Sequence, residues 1–186
     1  MNLKTINNLK IFIPVILYQN FNNEFCLVIS KENLVFSLNL LKYHIGLQYS
    51  LLSCISGVDL LQDKYRFSVV YDLLSLTFYS RLRIKIFIDD YMYVPSIINI
   101  FKNANWWERE IWDLYGIFFE FHSDLRRLLN DYSFEGYPMR KDFPLSGFTE
   151  VKYSQNHASV TRGPVQLSQE ARNFHFMSAG LYSVVI

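Results

Sequence analysis

Apolar positions recur with strand and helix periods along the first 130 residues, and this pattern predicts an α+β domain. In segment 81–88 the apolar residues at 82, 84, 86 and 88 alternate with other positions, which predicts a strand with one face toward a core. Strands mixed with helices favour a small mixed or antiparallel sheet with helices on one face. The predicted strands are 24–30, 47–56, 65–74 and 81–88, and the predicted helices are 33–43 and 3–18, the latter broken or restarted at Pro14.

Segment 105–115 carries the clearest helical pattern. Asn105 is placed to act as N-cap, and Glu108 three residues later completes a capping box. Gly116 is placed to end the helix in a left-handed conformation. Apolar positions 107, 111, 114 and 115 form one stripe. Trp106 and Trp112 lie off this stripe, so we expect them to pack on the following loop or to contact another protein.

A second short helix is predicted from Ser123, with its leucines facing inward and Arg126 and Arg127 facing outward. Beyond residue 130 the chain changes character, because three of its five prolines and four of its seven glycines fall in the last third. Aromatic and arginine residues are interleaved there. The sequence predicts an α+β domain over 1–130 and a long extended arm over 131–186. A partner covers that arm, or it wraps over its own domain.

Composition narrows the possible functions. Lys and Arg number 18 against 17 Asp and Glu, so a formal charge of +1 gives no field for nucleic acid. The longest run free of charged residues, 43–58, is too short for a membrane-spanning helix. Abundant Ile, Phe, Asn and Tyr with little Ala and Gly are typical of an A/T-biased organelle genome. The N-terminal segment has no signal cleavage site, and we expect it to belong to the mature fold.

The candidate chemistry is sparse. None of the four histidines lies at metal-ligand spacing from another histidine or a cysteine, and Cys26 and Cys54 alone cannot hold an iron–sulfur cluster. Glu108, Glu110 and Asp113 are expected on a solvated or salt-bridged helix face. An enzyme using Glu108, Glu110 and His122 as acid–base groups, and an RNA- or ribosome-associated module, remain alternatives.

Residues 107–119 and 122–129 resemble the signature of one family of respiratory complex I subunits, NADH dehydrogenase subunit 9 and its bacterial counterpart, the C subunit. Segments 131–138 and 140–147 resemble its continuation, although Ser133 and Tyr137 differ from the usual Gly and His. The residues that carry the resemblance, and that we expect to contact partners, are Trp107, Glu108, Arg109, Glu110, Asp113, Gly116, His122, Asp124, Arg126, Arg127, Gly136, Pro138, Arg140, Lys141, Asp142, Phe143 and Pro144.

The resemblance implies a subunit of the peripheral, quinone-module arm that has no active site of its own. It implies electron transfer from NADH to ubiquinone, coupled to proton translocation, in the complex as a whole. FMN and the iron–sulfur clusters are then carried by other subunits. The main partner is the large quinone-pocket subunit, with no nucleic acid and no membrane span. The expected location is the matrix side of the mitochondrial inner membrane.

Overall fold

The computed structural model describes residues 12–21, 24–170 and 172. The chain divides into two compact units, the first running to Pro144 and the second beginning at Leu145. The α+β class predicted from the sequence is confirmed, because the first unit combines a mixed sheet with two helices. The predicted division at 130/131, with partner docking of the arm, stays a prediction.

A five-stranded sheet forms the centre of the first unit. Its strands are β1 (Val15–Phe21), β2 (Glu24–Ile29), β3 (Leu51–Asp59), β4 (Phe67–Ser75) and β5 (Ser80–Ile88). Their spatial order is β1-β2-β5-β4-β3, and only the β2–β5 pair is parallel. The ends of β2, β4 and β5 differ by at most two residues from the strands predicted from the sequence, whereas β3 begins four residues later than predicted.

Two helices supply the core on one face of this sheet. Helix α1 (Leu34–Tyr43) follows a 3-10 turn over Lys31–Asn33 and buries its leucines at 34, 38 and 41. Helix α2 (Ala104–Tyr115) packs against β3 and contributes Ile111 to the same core. Short parallel strands β6 (Val94–Pro95) and β7 (Phe119–Glu120) flank α2. No helix of the described residues is long and apolar enough to span a membrane.

The predicted N-terminal helix is wrong over its last residues. Val15–Phe21 is strand β1, which pairs antiparallel with β2. Its β-branched and aromatic residues suit a pleated surface, and pairing with β2 outweighs the helical spacing of the leucines and isoleucines. The part of that prediction before residue 12 lies outside the described residues.

Helix α2 also begins differently from the prediction. It starts at Ala104 after Asn103, so Asn105 is not the N-cap, and Asn103 makes no capping bond through its side chain. Glu108 falls beyond the first turn and forms no capping box. The predicted end is confirmed, since Gly116 is left-handed at φ 78° and its N–H bonds to the Trp112 carbonyl.

Residues 123–130 form no helix, contrary to the prediction. The N–H groups of residues 128–130, which a helix would pair with preceding carbonyls, are bonded instead to the Asp113 carboxylate. Leu129 is exposed, and Arg127, predicted to face outward, is partly buried.

The second unit contains an antiparallel hairpin that the sequence pattern did not predict. Its strands are β8 (Thr149–Ser154) and β9 (Ser159–Pro164). Tyr153 and Val160 are paired across the hairpin, and both are exposed.

Candidate functional site

The buried Asp113 carboxylate on α2 fixes the loop 126–130. One oxygen, Oδ2, accepts the N–H groups of Leu128, Leu129 and Asn130 at 3.2, 2.8 and 2.9 Å. The other, Oδ1, accepts from Arg127 and from the Asn130 amide, both at 2.8 Å. Burial alone would raise the pKa of Asp113, but these hydrogen bonds hold it below its usual value.

Two arginines extend these contacts, one on α2 and one within the loop. Arg109, almost fully buried on α2, donates to the carbonyls of Arg126 and Arg127 at 3.2 and 3.3 Å. The Arg127 guanidinium donates to the Gly136 carbonyl and lies 5.6 Å from the Tyr137 ring. Charged groups paired in this way order a segment that has no secondary structure of its own.

Glu108 lies on the same helix as Arg109 and Asp113, and its side chain is completely buried. Its Oε1 accepts the Ile97 N–H at 2.8 Å, and the Ser96 hydroxyl lies 2.6 Å from Oε2. Burial raises its pKa to about 7, because these two bonds offset only part of the desolvation of the charge. The hydroxyl of Tyr71, also fully buried, has no hydrogen-bond partner among the described residues, and burial and the nearby Glu108 raise its pKa well above the usual value.

His122 completes this buried group. Its Nε2 lies 3.8 Å from Glu108 Oε2 and 3.3 Å from the Asn105 carbonyl, while its Nδ1 accepts the Asp124 N–H. The bond to Nδ1 favours the neutral tautomer with the proton on Nε2. Burial also lowers the pKa of His122, which keeps the ring uncharged.

A further set of charged residues joins segment 137–143 to the sheet. Arg66 pairs with Asp59 at 3.1 Å and with Asp142 at 2.9 Å, and the Lys141 N–H donates to Asp59 at 2.7 Å. The Asp59 side chain is fully buried. Although burial opposes it, the bond from Arg66 lowers the pKa of Asp59.

Arg140 connects this set to the end of α2. Its Nε donates to the Tyr115 carbonyl at 2.6 Å, and its guanidinium lies 3.3 Å from Asp90. The Arg140 guanidinium also lies 4.8 Å from the Tyr137 ring, which packs close to Gly116. Segment 137–143 is therefore held against α2 and the sheet by bonds within the first unit.

The comparisons with known proteins decide the family. A family model described as "Respiratory-chain NADH dehydrogenase, 30 Kd subunit" matches residues 27–149, which is more than half of the chain. The chain belongs to this family.

Two curated proteins named as oxidoreductase subunits are similar to this chain over most of its length. The C subunit of the NADH-quinone oxidoreductase of Methylobacterium radiotolerans is 51% identical over 155 residues, covering 83% of this chain and 72% of the relative. "NADH-ubiquinone oxidoreductase subunit 9" of Reclinomonas americana is 45% identical, covering 83% and 76%. The resemblance found in the sequence, to complex I subunit 9 and the bacterial C subunit, is confirmed.

Most of the family-signature residues named from the sequence take part in these contacts. Trp107 packs on the core beside Glu108, and Arg109, Asp113 and Arg127 fix the loop after β7. Other signature residues lie nearer the surface: Asp124 pairs with Arg126 at 2.9 Å, both side chains being more than half exposed. The half-buried Glu110 forms no ion pair within the described residues and does not join Glu108 and His122. Gly136, Pro138, Phe143 and Pro144 lie in the segment that continues past Arg127.

The expectation of a solvated or salt-bridged carboxylate face on α2 is wrong for Glu108, which is fully buried and accepts the Ile97 N–H. It is confirmed for Asp113, which is salt-bridged to Arg127 although its side chain is also fully buried. Of the two tryptophans off the apolar stripe, Trp112 is half-buried beside Arg127, while Trp106 is 62% exposed.

Sequence reasoning missed the partners of this family's signature. Ser96, Ile97, Asp59 and Arg66 all contact signature residues, yet none lies within ten residues of its partner. A charged residue ending a strand, as Asp59 does, was one signal available. The looser resemblance of Arg66–Phe67 and Pro95–Ser96 to the family was another. Phe121 was also missed: it is 83% exposed and adopts a left-handed φ of 63°. Within the described residues no cluster of three or more His, Cys, Asp or Glu is arranged to hold a metal ion.

Proposed function

We propose that this chain is a non-catalytic structural subunit in the peripheral, quinone-module arm of respiratory complex I. The observation that carries the proposal is that charged residues of the family signature bond to main-chain groups of the chain itself. Asp113 and Arg109 on α2 bond to the main chain of loop 126–130, Arg127 bonds to the Gly136 carbonyl, and Arg140 bonds to the end of α2. Residues used in this way shape a surface and do not face a substrate cavity.

The shaped surface is the contribution of this subunit to the complex. Loop 126–130 and segment 137–143 are held rigid on α2, which leaves Trp106, Phe121 and Leu129 exposed. Exposed aromatic side chains on a rigid scaffold are typical anchors for a protein partner. We infer that the large quinone-pocket subunit binds here, and that the second unit extends along it.

The cofactors and the coupled reaction belong, in this proposal, to the whole complex. FMN and the iron–sulfur clusters are carried by neighbouring subunits, and transfer from NADH to ubiquinone drives proton translocation in the assembly. We propose a location on the matrix side of the mitochondrial inner membrane. The relative from Reclinomonas americana, named an NADH-ubiquinone oxidoreductase subunit, supports the mitochondrial part of this proposal. No relative named above points to RNA, so the RNA-binding alternative gains no support.

Replacing Asp113 tests the structural role directly. Asp113→Asn replaces one carboxylate oxygen by an NH2 group. Either the three N–H groups on Oδ2 or the Arg127 and Asn130 donors on Oδ1 then lose their acceptor, so loop 126–130 is held less firmly. We expect several-fold less assembled complex on native gels, with unchanged NADH:quinone turnover per assembled complex. Asp63→Asn, at an exposed loop position, is the matched control and should assemble normally.

The opposite pattern would contradict the proposal. If Asp113→Asn complexes form in normal amounts but turn over much more slowly, the signature takes part in the reaction itself. An acid–base role would also require Glu108→Gln to abolish turnover in a fully assembled complex.

A further inference from the structure

The side of the five-stranded sheet opposite the two helices, here called the outer face, has an ordered pattern of its own. Strand register aligns side chains of adjacent strands in four rows across this face. The rows, read from β3 outward, are Val58–Ser68–Phe87, Ser56–Val70–Lys85–Val28–Leu17, Cys54–Asp72–Arg83–Cys26–Gln19 and Leu51–Leu74–Arg81.

The outer face carries more exposed apolar side chains than is usual for the solvent-facing side of a sheet. Solvent-facing sides of antiparallel sheets are usually lined by polar residues. Here Val58, Phe87, Leu51 and Leu17 are 39%, 37%, 42% and 49% exposed. Val28 is buried by its neighbours, yet it lies outside the main core cluster. The outer face therefore offers apolar contact area that the two helices do not cover.

A line of three cations crosses the same face on the central strand β5. Arg83 pairs with Asp72 at 2.7 Å and lies 3.6 Å from Glu24. Arg81 and Lys85, two positions to either side, have no carboxylate partner within the described residues. The face thus combines apolar rows with two cations available for pairing.

We propose that the outer face binds another subunit of the same oxidoreductase, through apolar side chains flanked by carboxylates that pair with Arg81 and Lys85. Because Arg81 and Lys85 are positively charged, the surface of the partner around the contact is expected to be acidic. The proposal rests on the proposed structural function and adds a second partner surface to it, separate from the one around α2.

The size of the face favours a subunit over a second copy of this chain. The four rows hold sixteen positions, each about 4.8 Å by 7 Å, which gives a face of roughly 540 Å². A stable interface buries about 800 Å² on each partner. The smaller area suits a neighbour that is also held elsewhere in a larger assembly. Two concavities of about 200 and 420 Å³ beside Arg83 can seat protruding partner side chains.

Charge reversal within the assembled complex tests the proposal. Arg81→Glu with Lys85→Glu repels an acidic partner, and we expect at least threefold less of this subunit in the complex. The matched control, Lys64→Glu with Lys102→Glu, makes the same change in net charge at exposed loop positions and should incorporate normally. Equal incorporation of the two double variants would overturn the proposal.

A photo-crosslinking residue at position 87 tests the same surface without altering its charge. In the intact complex we expect a covalent product with another subunit, and this arm remains informative if the charge variant fails to fold. No product above background would count against the proposal. Two other occupants of the outer face are tested with the wild-type full chain: phosphatidylserine vesicles and a second copy of the chain. If the chain binds the vesicles or dimerises, and the charge reversal abolishes that binding, the result counts against the proposal. The two proposals can be refuted independently. Asp113→Asn tests the structural role of the chain, whether or not a partner binds the outer face.

Discussion

Glu108 shows how little a residue type says about its environment. The helical pattern placed this carboxyl on an exposed first turn, but the fold surrounds it with Ile97, Ser96, His122 and Tyr71. The Ile97 N–H and the Ser96 hydroxyl come from the residues that follow β6, and no local pattern announces them. Sequence reasoning finds apolar core positions reliably, because burial and periodicity coincide there, but buried charges depend on distant partners.

The raised pKa of Glu108 makes the stability of the fold depend on pH. In the folded protein the pKa is about 7, against 4.5 for an ordinary glutamate, so the fold favours the protonated form. Its contribution is fully present below pH 4.5 and is lost as the pH rises through about 7. At about 1.4 kcal/mol per pH unit, the loss is about 3 kcal/mol.

Glu108→Gln isolates this effect, because glutamine resembles the protonated acid at every pH. We expect the wild type to lose about 3 kcal/mol of unfolding free energy relative to the variant between about pH 4.5 and 7.5. Denaturant titrations at several pH values measure this difference. His122 contributes in the opposite direction, since its lowered pKa makes stability rise up to about pH 6.5, but it is common to both proteins. Parallel pH profiles would show that Glu108 is ionised in the fold.

Gly116 is required for two reasons. Its φ of 78° lies in the left-handed region, and a Cβ there would stand 2.6 Å from the Tyr137 ring. We expect Gly116→Ala to lower the free energy of unfolding by about 2–3 kcal/mol. Gly46→Ala is the control, because its Cβ would meet only the His44 ring at 3.4 Å, and it should change stability by less than about 1 kcal/mol. Equal losses in denaturant titrations would contradict both reasons, because the left-handed φ would still cost stability after Tyr137 moved aside.

At the scale of elements, the sequence predicts the helices and strands in which the spacing of the apolar residues matches the spacing of the buried positions. Strand β5 buries 82, 84, 86 and 88, and α1 buries 34, 38 and 41, as their spacing indicates. Strand β1 was missed because Val15–Phe21 has no clean alternation and follows a proline. The segment after Ser123 was assigned as a helix because its leucines have helical spacing, but Asp113 takes the N–H groups that a helix would use.

At the scale of the whole molecule, the boundary between the two units decides which truncations fold. A chain ending at residue 144 keeps the bonds of Arg140, Lys141 and Asp142 to the first unit. A chain ending at 136 loses all three and leaves the buried Asp59 with Arg66 as its remaining partner among these contacts. We expect the longer chain to be the more stable by about 1–3 kcal/mol, as measured by chemical denaturation. Equal stability would mean that segment 137–143 contributes nothing to the fold.

The Asp113 carboxylate makes helix α2 and loop 126–130 move together. A tilt of the helix large enough to pull Oδ2 away would strand three main-chain donors at once, so small displacements are transmitted and not absorbed. Through Arg127 and the Gly136 carbonyl, the same coupling reaches the last segment of the first unit. A displacement of α2 at the exposed Trp106 would therefore reach the Gly136 carbonyl and the Tyr137 ring through Arg127.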